Sequence, residues 1–257
     1  MAKLIRAFFI LWVLTLSSLV VAGESPTLDR IEASETVRVG LTGDYKPFSW
    51  EGPQGELEGL DAEMAQALAE DLGVRLVIVK TSWPTLMEDL KAGKYDIGMG
   101  GISVTQERKE HAFFSTPLLT DGKAPIARCE DASRFETLNG IDREGVTVIV
   151  NPGGTNEVFA RANIRKARLV LHKDNASIFE EIAEGRADVM LTDAIETRIV
   201  AREHPALCAV NPNAPFTRSE KAYLLPKDGA WKARIDAWLA KMDESGQKEV
   251  LFSKWVE

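Results

Sequence analysis

The sequence VRVGL at residues 37–41 is followed by LDAEMAQALAEDL at residues 60–72 and RLVIV at residues 75–79, and the order of these runs decides the fold. The first and third runs are short and apolar, as buried strands are, whereas the run between them has apolar residues at helical spacing and ends before a glycine. Residues 83–91 and 95–99 add a second helix and a third strand. A β-α-β-α-β order indicates a parallel sheet with helices on its faces.

The same alternation begins again in the second half of the chain. Its predicted elements are strands at 146–150, 167–171 and 188–191 and helices at 155–163, 176–184 and 193–203. Strands that alternate with helices in this way form parallel sheets rather than sandwiches or barrels. The predicted fold class is therefore α/β, with two similar units in tandem.

Two segments, residues 115–128 and 215–225, join the predicted units. Both are rich in Pro, Gly and polar residues but have strand-like ends, so we expect them to cross between the lobes side by side. Residues 230–256 carry apolar and aromatic residues at helical spacing, with a break at Gly246. If the chain crosses back before this tail, the tail packs on the first lobe.

The first 22 residues are predicted to be a secretory signal peptide. Basic Lys3 and Arg6 precede an apolar run that ends on small residues at Ala22. The alternative is a membrane anchor, but the run is shorter than the roughly 20 apolar residues that a spanning helix needs, and polar residues follow it at once. We therefore expect a periplasmic protein that leaves the membrane once the leader has been cleaved.

The charge of the chain limits its partners. The formal net charge is −8, and it becomes more negative when Lys3 and Arg6 are removed with the leader. Nucleic acid is not an expected partner, because its binding depends on clustered Lys and Arg facing phosphates. A small-molecule ligand that is itself anionic would need a locally basic pocket.

The chain has 2 cysteines, Cys129 and Cys208, and both lie in the exported part. In an oxidising compartment a single disulfide is favoured over free thiols, and the spacing fits no zinc motif. Free thiols remain the alternative, because a bridge also requires the two Cα atoms to approach each other, which sequence does not show. No metal site and no cofactor are expected.

Ligands in open α/β sheets bind beyond the carboxyl ends of the strands. The segments that follow the predicted strands are residues 42–50, 81–84, 100–105, 151–156 and 192–196. These segments are rich in Gly, Ser, Thr and aromatic residues. They predict a cleft for a small polar molecule that has a planar or apolar part.

Several residues of these segments have two interpretations. The turn NPGGTN at residues 151–156 leads from a strand into a helix, so its N–H groups form either an anion site or an ordinary connection capped by Thr155 or Asn156. Trp83 and Trp50 either stack on a ligand ring or cover the core. Arg108, just inside a predicted helix, is either solvated or turned to the cleft.

Asp193 and Glu196 have the spacing of a capping box, in which both carboxylates close the start of a helix. The alternative is that Glu196 is partly desolvated near the cleft. Its pKa would then be raised, and the carboxylic acid could donate a proton. Periodicity and spacing do not separate these interpretations.

The motifs of the mature chain resemble the polar-amino-acid class of extracellular solute-binding proteins. They are GDYKPFS at 43–49, GLDAEMA at 59–65, SVTQER at 103–108 and FSTP at 114–117. The resemblance implies a periplasmic-binding-protein-like type II fold, with two Rossmann-like lobes joined by a two-strand hinge. Its boundaries would be residues 23–122 for lobe 1, 123–218 for lobe 2 and 219–257 for the return to lobe 1. It also implies that Arg108 clamps a ligand carboxylate and that Asp193 receives an α-amino group.

A closer resemblance is to the periplasmic cyclohexadienyl dehydratases. It is carried by TSWP at 81–84, VNPGGTNE at 150–157, TDAIE at 192–196 and EKAYLLP at 220–226. This resemblance implies a lyase that removes water and carbon dioxide from prephenate and arogenate, with Glu196 as the general acid. It also implies that Trp83 and Asn151 shape the cleft around the substrate. Together with the residues implied by the wider class and by the turns after the strands, the predicted substrate-binding residues are Arg108, Trp83, Asn151, Ser103, Lys46, Gly154, Thr155 and Asp193. Among them, Lys46 and the N–H groups after Gly153 are the candidates for a second carboxylate.

Two other functions are compatible with the same fold. The first is a non-catalytic amino-acid-binding protein of an ABC transporter, which would also have the leader, Arg108 and Asp193. The second is a ligand-sensing module of a membrane receptor, for which we find no membrane segment after the leader. Glu196, Trp83 and Asn151 favour the enzyme over both. A homo-oligomer is compatible with each function.

Overall fold

The computed structural model describes residues 24–52 and 54–256. The predicted signal peptide, residues 1–22, lies outside the described residues. Within the described ranges, no helix is both long enough and apolar enough to cross a membrane.

The first lobe is built on a mixed sheet. Its strands lie in the order β5 (Arg75–Lys80), β1 (Thr36–Leu41), β6 (Ile97–Gly98), β15 (Leu224–Leu225) and β7 (Phe113–Phe114). β1 pairs in parallel with β5 and β6, whereas β15 runs antiparallel to its neighbours. The remaining elements before the crossing are the small sheet of β2 (Asp44–Tyr45), β3 (Ser49–Glu51) and β4 (Leu57–Glu58), and the helices α1 (Pro26–Ser34), α2 (Leu60–Leu72), α3 (Leu86–Lys91) and α4 (Gln106–His111).

The second lobe repeats this plan. Its strands lie in the order β11 (Arg168–Leu171), β10 (Thr147–Val150), β12 (Val189–Asp193), β9 (Lys123–Arg128) and β13 (Leu207–Ala209). β10 is parallel to β11 and β12, and β9 is antiparallel to β12 and β13. The helices are α5 (Leu138–Ile141), α6 (Thr155–Asn163), α7 (Ile178–Ala183) and α8 (Ala194–Glu203), with a 3-10 turn at Ala132–Phe135.

Two strands cross between the lobes. β8 (Leu119–Asp121) and β14 (Ser219–Lys221) pair with each other antiparallel, with Thr120 opposite Glu220. β8 leads into β9 of the second lobe, and β14 leads back toward β15 of the first. The predicted pair of crossings is confirmed, and it places Asp121 and Lys221 at the junction of the lobes.

The C-terminal tail forms two helices, α9 (Gly229–Glu244) and α10 (Gln247–Trp255). The break falls at Gly246, whose φ of 74° is the left-handed conformation that glycine adopts without strain. Trp231 and Trp238 of α9 are fully buried in the same core cluster as β1 and α2. The tail therefore packs on the first lobe, as the sequence predicted.

One predicted helix starts later than its pattern indicated. The apolar spacing predicted a helix over residues 83–91, but α3 begins at Leu86. Pro84 disfavours helical backbone for the residue before it, and Thr85 closes a turn by donating its N–H to the carbonyl of Ser82 at 3.1 Å. The turn frees Trp83 to face the second lobe.

Cys129 and Cys208 form a disulfide in this structure, with their Cα atoms 4.8 Å apart. The pairing of β9 with β13 explains the approach, because Cys208 lies opposite Ala127 and Cys129 follows the end of β9 by one residue. The bridge ties an edge strand of the second lobe to its neighbour.

Candidate functional site

A cavity lies between the lobes, beyond the carboxyl ends of β1, β5, β6, β10 and β12. Its volume is about 20 Å³, room for roughly one water molecule. A ligand with a six-membered ring therefore enters only if the lobes separate or the lining side chains move. The cavity is lined by Tyr45, Trp83, Gly101, Ser103, Arg108, Asn151, Gly154, Thr155, Asn156, Asn175, Asp193 and Lys221.

The structure brings most of the site residues proposed from the sequence to this cavity. Those that line it are Trp83, Ser103, Arg108, Asn151, Gly154, Thr155 and Asp193. Lys46 and Glu196 are not among the lining residues. Sequence reasoning did not single out Tyr45, Asn175 or Lys221 as site residues.

Direct contacts hold the lobes together around the cavity. The Tyr45 hydroxyl of the first lobe donates to Asp193 Oδ2 of the second at 2.5 Å. Pro84 packs so closely on Gly153 that a Cβ at residue 153 would lie 2.5 Å from the Pro84 Cα. Glycine is needed at 153 both for this approach and for its φ of 78°. The described arrangement is therefore a closed one.

Arg108 is a buried cation in the wall of the cavity. Only 8% of the residue is exposed, and its Nη1 donates to the carbonyl of Ser103 at 2.8 Å. Burial lowers its pKa, but a guanidinium remains charged at physiological pH. Among the described residues, no carboxylate lies within ion-pair distance of it. A buried cation with this environment is suited to an anionic ligand group.

Asp193 is held by two lysines that reach it from different strands. Lys123, at the start of β9, donates to Oδ1 at 2.8 Å, and Lys221 of β14 bonds to Oδ2. All three residues are at most 4% exposed. Burial favours the neutral acid, but the two ammonium groups outweigh it and hold the pKa of Asp193 well below its ordinary value.

This ion cluster changes the expectation for Asp193. The resemblance to amino-acid-binding proteins implied that its carboxylate receives an α-amino group, but here both oxygens already accept hydrogen bonds from lysines. One carboxylate also cannot neutralise two ammonium groups. By formal charge the cluster carries one positive charge in excess next to the cavity, although burial lowers the pKa of Lys123. The two lysines are about a hundred residues apart in sequence, so no local pattern shows this cluster.

Lys46 was expected to hold a carboxylate, and the structure places it outside the cavity. Its ammonium pairs with Glu203 at 2.6 Å and lies 3.2 Å from the centroid of the Trp50 ring. Lys46 and Trp50 line a different depression, next to Trp255. In this closed arrangement Lys221, and not Lys46, is the ammonium group that lines the cavity, and Lys123 bonds to the lining residues Thr155 and Asn156.

Glu196 is buried in the first turn of α8, with 1% of the residue exposed. Burial raises the pKa of Glu196 to about 8, and the charges of Asp193 and Asp44 act in the same direction, against a hydrogen bond from the Thr192 hydroxyl. The carboxyl group is thus protonated at neutral pH. It is linked to the cavity lining through Thr192, which accepts a hydrogen bond from Asn156 Nδ2 at 3.1 Å.

The capping-box interpretation of Asp193 and Glu196 is wrong. Among the described residues, the Asp193 side chain makes no capping hydrogen bond with α8. The helix start is closed instead by the crossing strand, because Asp121 Oδ2 accepts from the N–H of Ile195 at 3.1 Å. Neither Asp193 nor Glu196 is therefore needed to cap α8.

The turn at residues 151–156 is organised by Asn156. Its amide donates to Asn151 Oδ1 at 2.9 Å, and its oxygen accepts from Lys123. Lys123 also donates to the Thr155 hydroxyl at 2.9 Å. The N–H of Gly153 is already bonded to Glu157 at 2.7 Å. Among the described residues, no acceptor is bonded to the backbone N–H groups of Gly154 and Thr155, so these two groups are available as anion donors.

Trp83 closes the cavity from the first lobe. Its indole N–H donates to Asp44 Oδ1 at 3.0 Å, and its ring meets Tyr45 edge to face at 5.7 Å between centroids. These contacts fix the indole as a flat wall of the cavity. A planar or six-membered ring is the kind of ligand that such a wall fits.

Comparison with known proteins places these residues in a family. Residues 37–257 match the model of the bacterial extracellular solute-binding proteins, family 3. The chain is 52% identical over 242 residues to the cyclohexadienyl dehydratase of Pseudomonas aeruginosa, covering 94% of this chain and 90% of that protein. It is 29% identical over 230 residues to the L-cystine-binding protein TcyJ of Escherichia coli strain K12, covering 89% and 85%.

Solved structures also match both an amino-acid-binding protein and a dehydratase. An ancestral amino-acid-binding protein, described as a precursor of cyclohexadienyl dehydratase, matches with a TM-score of 0.84 and 34% identity, covering 90% of this chain and 100% of that one. An ancestral cyclohexadienyl dehydratase matches with a TM-score of 0.56 and 49% identity, covering 91% and 97%. The fold is therefore periplasmic-binding-protein-like, with two α/β lobes, as the sequence predicted.

Proposed function

The chain belongs to family 3 of the bacterial extracellular solute-binding proteins, and from that premise we propose that it is an enzyme of the cyclohexadienyl dehydratase class. This lyase would convert prephenate to phenylpyruvate and arogenate to phenylalanine. The dehydratase relative supports this activity over most of the chain. The predicted leader supports a periplasmic location.

The observation that carries the proposal is the pattern of buried charge at the cavity. Arg108 has no ion-pair partner among the described residues, and Asp193 can neutralise only one of Lys123 and Lys221. By formal charge, two positive groups therefore lack a contacting carboxylate of their own, and burial, which lowers the pKa of Lys123, makes an anionic ligand the more favourable there. Prephenate and arogenate each carry two carboxylates, one on the side chain and one on the ring.

We assign the side-chain carboxylate to Arg108, since a guanidinium binds a carboxylate with two parallel hydrogen bonds. The ring carboxylate is assigned to Lys221 and to the N–H groups of Gly154 and Thr155, which line the cavity. Lys123 would contribute only its charge, because its three donors already bond to Thr155, Asn156 and Asp193. Trp83 and Asn151 would shape the space for the ring, and Ser103 would orient Arg108 through its carbonyl.

Glu196 would supply the proton for the reaction. The protonated carboxyl donates a proton to the ring hydroxyl, whose C–O bond breaks so that water leaves. The bond between the ring and its carboxylate breaks as well. Carbon dioxide departs, and the electron pair of that bond completes the aromatic ring. Aromatisation drives the reaction, so one positioned acid is sufficient, and this chemistry requires no cofactor.

The alternative function is an amino-acid-binding protein, which the precursor structure exemplifies. The ligand of such a protein brings one carboxylate and an α-ammonium group, and the ammonium needs an acceptor. In the closed cavity Asp193 is already bonded to two lysines. This ion cluster favours a ligand with two carboxylates over an amino acid that has only one.

The direct test is to incubate the purified mature chain with prephenate and follow phenylpyruvate by its absorbance. We expect turnover that increases linearly with enzyme concentration. Arogenate is tested in the same way, with phenylalanine as the product. Binding of amino acids by calorimetry without turnover of either substrate would show that the chain is a binding protein.

Replacing Arg108 by Ala is expected to raise KM for prephenate. Loss of a charge-assisted hydrogen-bond partner costs roughly 1.5–3 kcal/mol, equivalent to about 10- to 150-fold. Lys109→Ala is the matched control, because Lys109 is the exposed neighbour on the same helix. Steady-state kinetics with an unchanged KM for Arg108→Ala would remove Arg108 from the substrate site.

A further inference from the structure

Asn175 is a buried side chain of the cavity with a hydrogen-bond acceptor to spare. It lies in the loop between β11 and α7, and only 2% of the residue is exposed. Its amide nitrogen donates across the cleft to the backbone carbonyl of Asp44 at 2.8 Å. Among the residues that the structure describes, none donates to its Oδ1. Buried polar atoms without partners are uncommon, and in a ligand cavity such an oxygen is suited to accept a hydrogen bond from the ligand.

The orientation of this amide is fixed by chemistry. The carbonyl of Asp44 can only accept a hydrogen bond, so the NH₂ group of Asn175 must face it. A flipped amide would bring two oxygens together and lose the contact. The Oδ1 atom is therefore held as an acceptor, without a donor from the described residues.

Asp44 interacts both with Asn175 and with Glu196, the proposed acid. Its carbonyl receives the Asn175 amide, and its carboxyl group lies close enough to Glu196 for its charge to raise the pKa of that residue. Asn175 and Glu196 thus both interact with Asp44, although they belong to different elements of the second lobe. The spare acceptor and the proposed acid therefore share Asp44 as a neighbour.

The chemistry of prephenate identifies the donor that this acceptor could receive. At neutral pH its two carboxylates and its ketone can only accept hydrogen bonds. Its ring hydroxyl is the one group that can donate. A buried acceptor in a cavity for this substrate is therefore complementary to the ring hydroxyl, which is also the group that leaves.

We propose that Asn175 Oδ1 accepts the hydrogen bond of the substrate's ring hydroxyl and so turns a lone pair of the leaving oxygen toward Glu196. The proposal rests on the proposed function for the identity of the substrate. Asn175 transfers no proton itself and acts as a positioning residue. Because its amide also reaches Asp44 in the first lobe, the contact forms only in the closed arrangement.

A binding experiment separates the hydroxyl contact from the link between lobes. Phenylpyruvate and 4-hydroxyphenylpyruvate differ by one ring hydroxyl, and calorimetry gives Kd for each with wild type and Asn175→Ala. The hydroxyl should tighten binding to wild type by roughly tenfold, the usual worth of one buried hydrogen bond. In the variant this gain should disappear, so that both compounds bind with the same Kd, even if the lost link to Asp44 weakens the two equally. A hydroxyl gain that survives in Asn175→Ala would overturn the proposal.

Kinetics give the second readout. We expect kcat/KM of Asn175→Ala to fall at least about tenfold for prephenate and for arogenate alike. Asn139→Ala, at an exposed position of the same lobe, is the control. A loss of kcat/KM confined to arogenate would mean that Asn175 receives the ammonium group instead. A loss of affinity that is equal for phenylpyruvate and 4-hydroxyphenylpyruvate would mean that Asn175 only links the lobes. Either result refutes the proposal.

A second variant and a separate reading of the binding data complete the test. Asn175→Ser is the second variant, used in both experiments if the alanine variant does not fold. If wild type fails to consume prephenate, the proposed function fails. The comparison of the two pyruvates still tests whether Asn175 receives a ring hydroxyl.

Discussion

Replacing Glu196 by Gln is expected to lower kcat for prephenate by two or more orders of magnitude. A positioned general acid contributes about 10²–10⁴-fold, and an amide of the same size cannot replace its acidic proton. KM should change less than kcat, because Gln keeps the size of the side chain and what it loses is a proton transfer that occurs only in the transition state. Steady-state kinetics of the variant give both values. Glu180→Gln, at an exposed position of the same lobe, is the matched control.

The pH dependence of wild type follows from the same group. Burial raises the pKa of Glu196 to about 8, and only the protonated form can act as the acid. We therefore expect kcat to decline as pH rises through about 8. If Glu196→Gln kept most of the turnover of wild type, the proton would have to come from another group.

Stability supplies an independent check on Glu196. In the unfolded chain its pKa returns to about 4.5, whereas in the folded chain it is about 8. Between these values folding takes up a proton, so the stabilisation is complete below pH 4.5 and is lost as pH rises toward 8. Glu196→Gln lacks this loss. Its melting temperature relative to wild type should therefore increase from acidic to alkaline buffer, and a constant difference would contradict the raised pKa.

The largest effect on stability is expected from Asp193→Asn. The substitution keeps the size but leaves the ammonium groups of Lys123 and Lys221 buried without their carboxylate. Breaking a buried ion pair from one side costs about 3–5 kcal/mol. Urea denaturation at pH 7 measures the change in the free energy of unfolding.

Asp243→Asn is the contrasting control, because it removes a surface pair with Lys248 that is 53% exposed at the aspartate. Such a pair contributes at most about 1 kcal/mol. A loss in Asp193→Asn as small as that of the control would mean that the lysines do not depend on Asp193.

The pH dependence of the Asp193 contribution has the opposite sign to that of Glu196. The folded-state pKa of Asp193 is lowered by the two lysines from an ordinary value of 3.8. Its stabilisation is therefore present above about pH 4 and is lost as pH falls below that value. The difference between wild type and Asp193→Asn should narrow in acid, and unfolding curves at pH 7 and pH 3 test this.

The sequence by itself determined the secondary structure and the type of fold. The bounds of α2 and α6 agree with the predicted helices at residues 60–72 and 155–163. The hydrophobic period and the glycines that end helices are local signals, so helix bounds can be predicted from them before any contact in the folded chain is known. Motifs shared with the dehydratase family also pointed to Arg108 and Glu196 as site residues.

Only the tertiary structure decided how the site is charged and bonded. The spacing of Asp193 and Glu196 fits a capping box, but Asp121 from the crossing strand β8 closes that helix instead. Lys123 and Lys221 meet at Asp193 because β9 and β14 pass the end of β12, and no local pattern encodes that meeting. The spare acceptor of Asn175 likewise depends on the approach of Asp44 from the other lobe. Local periodicity specifies which face of an element is buried, whereas the partner of a buried polar group is set by elements that are distant in sequence and adjacent in space.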